Sequence, residues 1–156
     1  MTIRIGVMDE RGIERQLDAL LRIDATLGTD PWTDREFRLD LPEKFRHSHW
    51  ALDEEGAPVG FAVVSRKGES VHVHRLVVEP ARRGEGIGRT LLRAVAESAC
   101  TAGLGHVTLK VSPTNVAAVR FYETLGFKRE KLEKENLVLS IAAATLIGAV
   151  DPAGPG

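Results

Sequence analysis

Three glycines at every second position, Gly84, Gly86 and Gly88, stand among three arginines, Arg82, Arg83 and Arg89. An apolar run, Leu76-Val77-Val78, leads into them, and an amphipathic stretch beginning at Ile87 leads away. Glycine adopts positive φ and lets a ligand approach the backbone closely. The first N–H groups of a helix are unpaired and sit at the positive end of its dipole, which suits phosphate. A pyrophosphate is therefore the natural guest of this loop. The spacing is not that of a Walker-type phosphate loop, which ends in Gly-Lys-Ser/Thr, nor the Gly-x-Gly-x-x-Gly of a dinucleotide fold. Four other residues could move protons or attack. His72 and His74 lie two apart on an expected strand, so they share a face, and imidazole titrates near neutrality. No third ligand accompanies them, so no metal site is expected. Tyr122 is the single tyrosine and Cys100 the single cysteine. Cys100 is expected on the inner half of the helix after the loop, as a buried thiol rather than a nucleophile.

Two motifs here resemble the GNAT superfamily of N-acetyltransferases. One is Arg83-Gly84-Glu85-Gly86-Ile87-Gly88, which matches Arg/Gln-x-x-Gly-x-Gly/Ala. The other is Asn115-Val116-Ala117-Ala118-Val119-Arg120-Phe121-Tyr122 followed by Leu125-Gly126-Phe127. The resemblance implies acetyl-CoA as co-substrate and direct transfer to an amine in a ternary complex. It implies that Leu76, Val77 and Val78 meet the pantetheine arm and thioester. Arg83, Gly84, Glu85, Gly86, Ile87, Gly88 and Arg89 would hold the pyrophosphate, and Asn115 would bond the pantetheine region. Tyr122 would protonate the departing thiolate. For the base that takes the amine's proton, His72 falls where the histone-acetylating branch carries a glutamate. His74 and a water relay are the alternatives, with Glu79, where the strand turns into the loop, behind them. In the branch that acetylates ribosomal-protein N-termini the glutamate lies on the next strand, where this chain has Lys110. Yet Pro31-Trp32-Thr33 and Phe37 resemble that branch's N-terminal segment.

These residues need elements to hold them. Alternation at Ile3, Ile5 and Val7 predicts a first strand, and the spacing of Leu17, Leu20 and Leu21 a helix over 14–25. Thr33 with Glu36 reads as a capping box opening a helix that runs to about 41. Strands are expected over 50–52, 59–65 and 70–78, then a helix from 87 ended by Gly103. A strand over 106–111, a helix over 113–125 and a closing pair over 127–131 and 136–141 complete the set. The strand–helix–strand unit implies one parallel pair among antiparallel hairpins. The expected fold is α/β, GNAT-like: a mixed, mostly antiparallel sheet of six to seven strands flanked by about four helices. His47 and His49 are read as surface residues, and the resemblance implies an acceptor pocket built from residues 27–45 plus 131–136.

With 156 residues the chain suits a single domain over 1–150, and its last six residues, 151–156, rich in Pro and Gly, are expected to be a disordered tail. A formal net charge of −1 gives no global field toward nucleic acid or membrane. The longest apolar run, 137–150, falls short of the roughly 20 residues that span a bilayer, and a cytoplasmic location is expected. The apolar residues 142–150 suggest a homodimer surface. For the acceptor, a small-molecule amine is the main expectation. A protein N-terminus or lysine, and a non-catalytic acyl-CoA-binding module, are the alternatives.

Overall fold

A computed structural model describes residues 2–149; the tail expected at 151–156 lies outside them. In chain order the elements are β1 (Arg4–Val7), α1 (Glu10–Arg15), α2 (Leu17–Ala25), α3 (Asp34–Arg38), α4 (Lys44–His47), β2 (His49–Leu52), β3 (Pro58–Lys67), β4 (Ser70–Val78), α5 (Ile87–Thr101), β5 (His106–Val111), α6 (Val116–Leu125), β6 (Lys128–Glu133), β7 (Asn136–Ala142) and α7 (Ala143–Ala149). The strands form one sheet in the order β1-β2-β3-β4-β5-β7-β6. Among the described strands only β4 and β5 run parallel; the other neighbours are antiparallel.

Local chemistry sets the helix ends. Asp9 caps α1 by accepting from the Gly12 N–H at 2.6 Å. The helix expected over 14–25 is two helices, because Gln16 leaves helical geometry at φ −109°, ψ 16°. Thr33 and Glu36 do form the capping box of α3. That helix stops at Arg38 rather than near 41, since Leu39 turns extended at ψ 135°.

Helices cover both faces of the sheet. One face packs Val71, Val107 and Leu139 against Leu91, Leu92 and Val95 of α5, with α6 and α7 beside them. The other packs Phe61, Val63 and Val77 against Leu20, Ile23 and Phe37. β3 is buried along most of its length because it has helices on both sides.

Several residues sit differently from the sequence reading. The run that suggested a dimer folds as α7 against α5, with Leu146 fully buried. Ile147 is half-buried and Ala144 exposed, so part of the run still faces outward; Val150 lies outside the described residues. Cys100 is exposed. Its direction falls about 40° beyond the buried arc of α5 at 3.6 residues per turn. His47 and His49 are buried, not on the surface. His47 is bonded to Ser98 of α5 and to Glu43, and His49 to the His47 carbonyl. α4, which carries the buried Lys44 and His47, was not expected at all.

The feature that makes room for a ligand lies between β4 and β5. They pair from Ser70↔His106 to Val73↔Leu109 and no further. At that point β4 carries a bulge: Val64 faces Val73 and Val63 faces Arg75, leaving His74 as the extra residue. A bulge bends its strand, so β4 diverges from β5 beyond it. Phe61↔Val77 is a pair in the antiparallel β3–β4 ladder, and the Glu79 N–H bonds the Val59 carbonyl. On that alternation Val77 turns its N–H and C=O to β3, and Leu76 and Val78 turn theirs to the gap.

Candidate active site

The gap opens into a cavity of about 680 Å³. Leu76, Val77 and Val78 form one wall and Ala117, Ala118, Phe121 and Tyr122 of α6 the other. Arg82, Arg83, Gly84, Gly86, Ile87, Gly88 and Arg89 line the end at the start of α5. Leu27, from the α2–α3 connection, lines it as well. The fold therefore gathers most of the residues expected at the cofactor, together with Tyr122. Glu85 stays outside the lining, paired with Arg82 at 3.2 Å. Asn115 also stays outside it; its side chain caps α6 by accepting from the Ala118 N–H at 3.2 Å.

The loop geometry is that of an anion cradle. Gly84 and Gly86 hold φ of +88° and +81°, where an L-residue is strained, and nothing lies within 4 Å of either missing Cβ. Gly86 is the N-cap of α5 and has no side chain to occupy the first-turn amides. Those N–H groups are left to a ligand. A Cβ at Gly88 would make ordinary contact with Phe121 at 3.5 Å, which places the start of α5 directly beside α6.

Tyr122 is half-buried between Phe121 and Phe127, with ring centroids 5.2 and 5.5 Å away. Desolvation pushes its phenol up to about 12, so it keeps its proton throughout the physiological range. The two strand histidines share a face as expected, their ring centroids 5.0 Å apart. They lie outside the cavity's lining. His72 is buried and its Nδ1 lies 2.8 Å from the Thr108 hydroxyl. Burial, then the neighbouring His74, brings its pKa down to about 4. His74 bonds Ser65 at 2.7 Å, and burial lowers its pKa too. Both rings are neutral at pH 7.

Two ion pairs were not foreseen. Lys110 donates to Glu133 at 2.8 Å, which holds that carboxyl below its usual range. Asp24 is fully buried and forms a two-point ion pair with Arg75. The one signal for it was a carboxylate on the apolar stripe of α2. Among the described residues no three His, Cys, Asp or Glu side chains gather as a metal site. None of the described helices is long and apolar enough to cross a membrane.

A splayed parallel pair, strand backbone turned into the gap and an anion cradle at the helix start define a coenzyme A-dependent acyltransferase. The chain belongs to the acetyltransferase (GNAT) family, whose match spans residues 17–127. It is 34% identical over 149 residues to the N-alpha-acetyltransferase RimI of Mycobacterium tuberculosis, covering 91% of this chain and 89% of that one. It is also similar to the ribosomal protein bS18-alanine N-acetyltransferase of Escherichia coli, at 25% identity over 76% of this chain and 78% of the relative. The crystal structure of that Escherichia coli enzyme superposes with a TM-score of 0.77, covering 91% of this chain and 94% of the other. The NatC complex bound to Gag peptide and CoA superposes at 0.76 with 22% identity, over 91% and 99%. The protein is an N-acetyltransferase, and acetyl-CoA is its co-substrate.

Proposed function

We propose that this enzyme acetylates the α-amine at a polypeptide N-terminus, directly from acetyl-CoA in a ternary complex. The observation that carries this reading is the similarity, over nine-tenths of the chain, to a relative named for N-alpha-acetylation. It supports the protein-acceptor alternative better than the small-molecule amine expected from the sequence. A ribosome-made substrate also fits the expected cytoplasmic location.

The site's electrostatics favour the same acceptor. A base of pKa about 4, such as His72, lies roughly 4 units below an α-amine of pKa about 8, so full proton transfer costs about 5 kcal/mol. Lys110, where the related branch carries its glutamate, offers no carboxylate. The acceptor must therefore arrive largely able to lose its proton to water. At pH 7 about a tenth of an α-amine is neutral, against about 0.04% of a lysine with pKa about 10.4. That difference of about 250-fold selects the N-terminus.

In the mechanism the neutral amine attacks the thioester carbonyl. The Leu76 and Val78 backbone groups that face the gap hold the pantetheine arm, and an N–H there stabilises the developing oxyanion. The nitrogen releases one proton to solvent and the C–S bond breaks, leaving the amide and a thiolate. Full transfer of the Tyr122 proton to a thiolate of pKa about 8.5 is uphill by roughly 3.5 units. Tyr122 thus acts chiefly as a hydrogen-bond donor to the departing sulfur, and the thiol's proton comes through solvent. Gly84 to Arg89 retain the pyrophosphate.

The test is thiol release and mass spectrometry with an alanine-first hexapeptide, the same peptide blocked at its α-amine but containing lysine, and spermidine. The reading predicts one acetyl group on the free N-terminus and little on the others. Faster acetylation of spermidine or of the blocked peptide would sink it.

A further inference from the structure

We infer that Arg75 is a positioning residue for the acceptor amine. With Asp24 it clamps the α2–α3 connection, residues 26–33, onto the strand that presents the thioester. Arg75 follows the bulge of β4 and precedes Leu76, the first strand residue in the cavity wall. Its Nε lies 2.6 Å from Asp24 Oδ1, and its Nη2 3.0 Å from Asp24 Oδ2. The same Nη2 donates to the Asp30 carbonyl at 2.9 Å. Asp24 Oδ2 also accepts from the Trp32 N–H at 2.7 Å. The guanidinium sits 5.4 Å from the Trp32 ring centroid. Asp30 is held at φ +44°, a strained position for a non-glycine residue.

The pair's surroundings argue against a purely stabilising role. Asp24 is fully buried and the Arg75 side chain only 15% exposed. A buried ion pair usually gains little over apolar residues of similar volume. What it supplies is geometry, since the planar fork fixes direction as well as distance. Here the ion pair joins three places: the fork ties the end of α2 to the carbonyl of the strained Asp30, and the Asp24 carboxylate accepts from the Trp32 amide. The connection so held carries Leu27, which is exposed yet lines the cavity with Leu76 and Tyr122. The pyrophosphate end is built by different elements, the loop over residues 82–86 and the start of α5. Releasing the clamp therefore lets the acceptor wall drift and leaves the cofactor cradle in place.

The deciding variant is the double substitution Asp24→Leu with Arg75→Met, which removes both charges and keeps an apolar contact that folds. Three quantities are measured: acetyl-CoA affinity by calorimetry, amide hydrogen exchange over residues 26–33, and steady-state kinetics with the alanine-first hexapeptide. Expected are an unchanged acetyl-CoA Kd, exchange of the Trp32 amide faster by about tenfold or more, and KM for the peptide raised about tenfold with kcat within about threefold. Arg75→Lys, which keeps the charge but loses the fork, should fall between. Unchanged exchange at Trp32, or a KM that stays put while exchange rises, overturns the proposal. So does an acetyl-CoA Kd that worsens as much as KM. The kinetic arm rests on the peptide reading above. If the wild type leaves the hexapeptide unmodified, that reading fails, and the exchange and calorimetry arms decide the clamp by themselves.

Discussion

Removing the imidazole of His72 should flatten the enzyme's response to acid. The ring is 8% exposed and keeps a pKa of about 4, against 6.5 in an unfolded chain. Between those values the unfolded state binds a proton that the native state refuses. The contribution is thus complete above about pH 6.5 and is lost as pH falls toward about 4. Integrated from about pH 7.5 to about pH 5, this one ring makes the native state about 2 kcal/mol less stable. His47, His49 and His74 are also lowered by burial and add in the same sense. The groups acting on His72 are His74, Lys67, Lys110 and Glu133, of which only Glu133 favours its protonated form. His72→Gln keeps a polar partner for Thr108 without a titration. Urea unfolding at the two pH values should show the wild type losing about 2 kcal/mol more than the variant. Ring resonances of His72 followed by NMR should not titrate near neutrality. A midpoint close to 6.5, or an equal acid loss in both proteins, would refute the reasoning.

Tyr122→Phe should lower kcat about 10- to 100-fold with little change in acetyl-CoA affinity, since the hydroxyl acts on charge that develops only at the leaving sulfur. Equal kcat in the two proteins would remove that role. Leu146→Ala should cost about 2–4 kcal/mol in urea unfolding, because α7 inserts this fully buried side chain into the core. A cost well under about 1 kcal/mol would mean that α7 is only loosely docked.

The cofactor side was legible because its physics is local. A buried strand, three spaced glycines and an amphipathic helix lie within Leu76 to Thr101, and one stretch of chain fixes their geometry. The acceptor side is built from long-range contacts that no periodicity announces. Asp24 meets Arg75 across 51 positions, and Lys110 meets Glu133 across 23. α4 is four residues long, too short to show a helical period, yet it buries Lys44 by giving its ammonium the Phe37 and Leu39 carbonyls. The His47 and His49 rings read as surface residues by type, and only their partners on other elements explain why they are inside. The seven α-helices among the described residues exceed the expected four for related reasons. The helix over 14–25 divides at Gln16, α4 has no pattern, and α7 passes for an apolar tail. The bulge at His74, which opens the cavity, shows only in the strand register.

The central claim is that the cradle at the start of α5 holds the pyrophosphate of acetyl-CoA. Calorimetric titration of acetyl-CoA into the wild type and into Gly86→Glu tests it most directly. Gly86 sits at φ +81°, and a glutamate there brings both backbone strain and a negative charge to the cradle. The account predicts one acetyl-CoA bound per wild-type chain and none by the variant. Equal binding by both proteins, or no binding to the wild type, would contradict it.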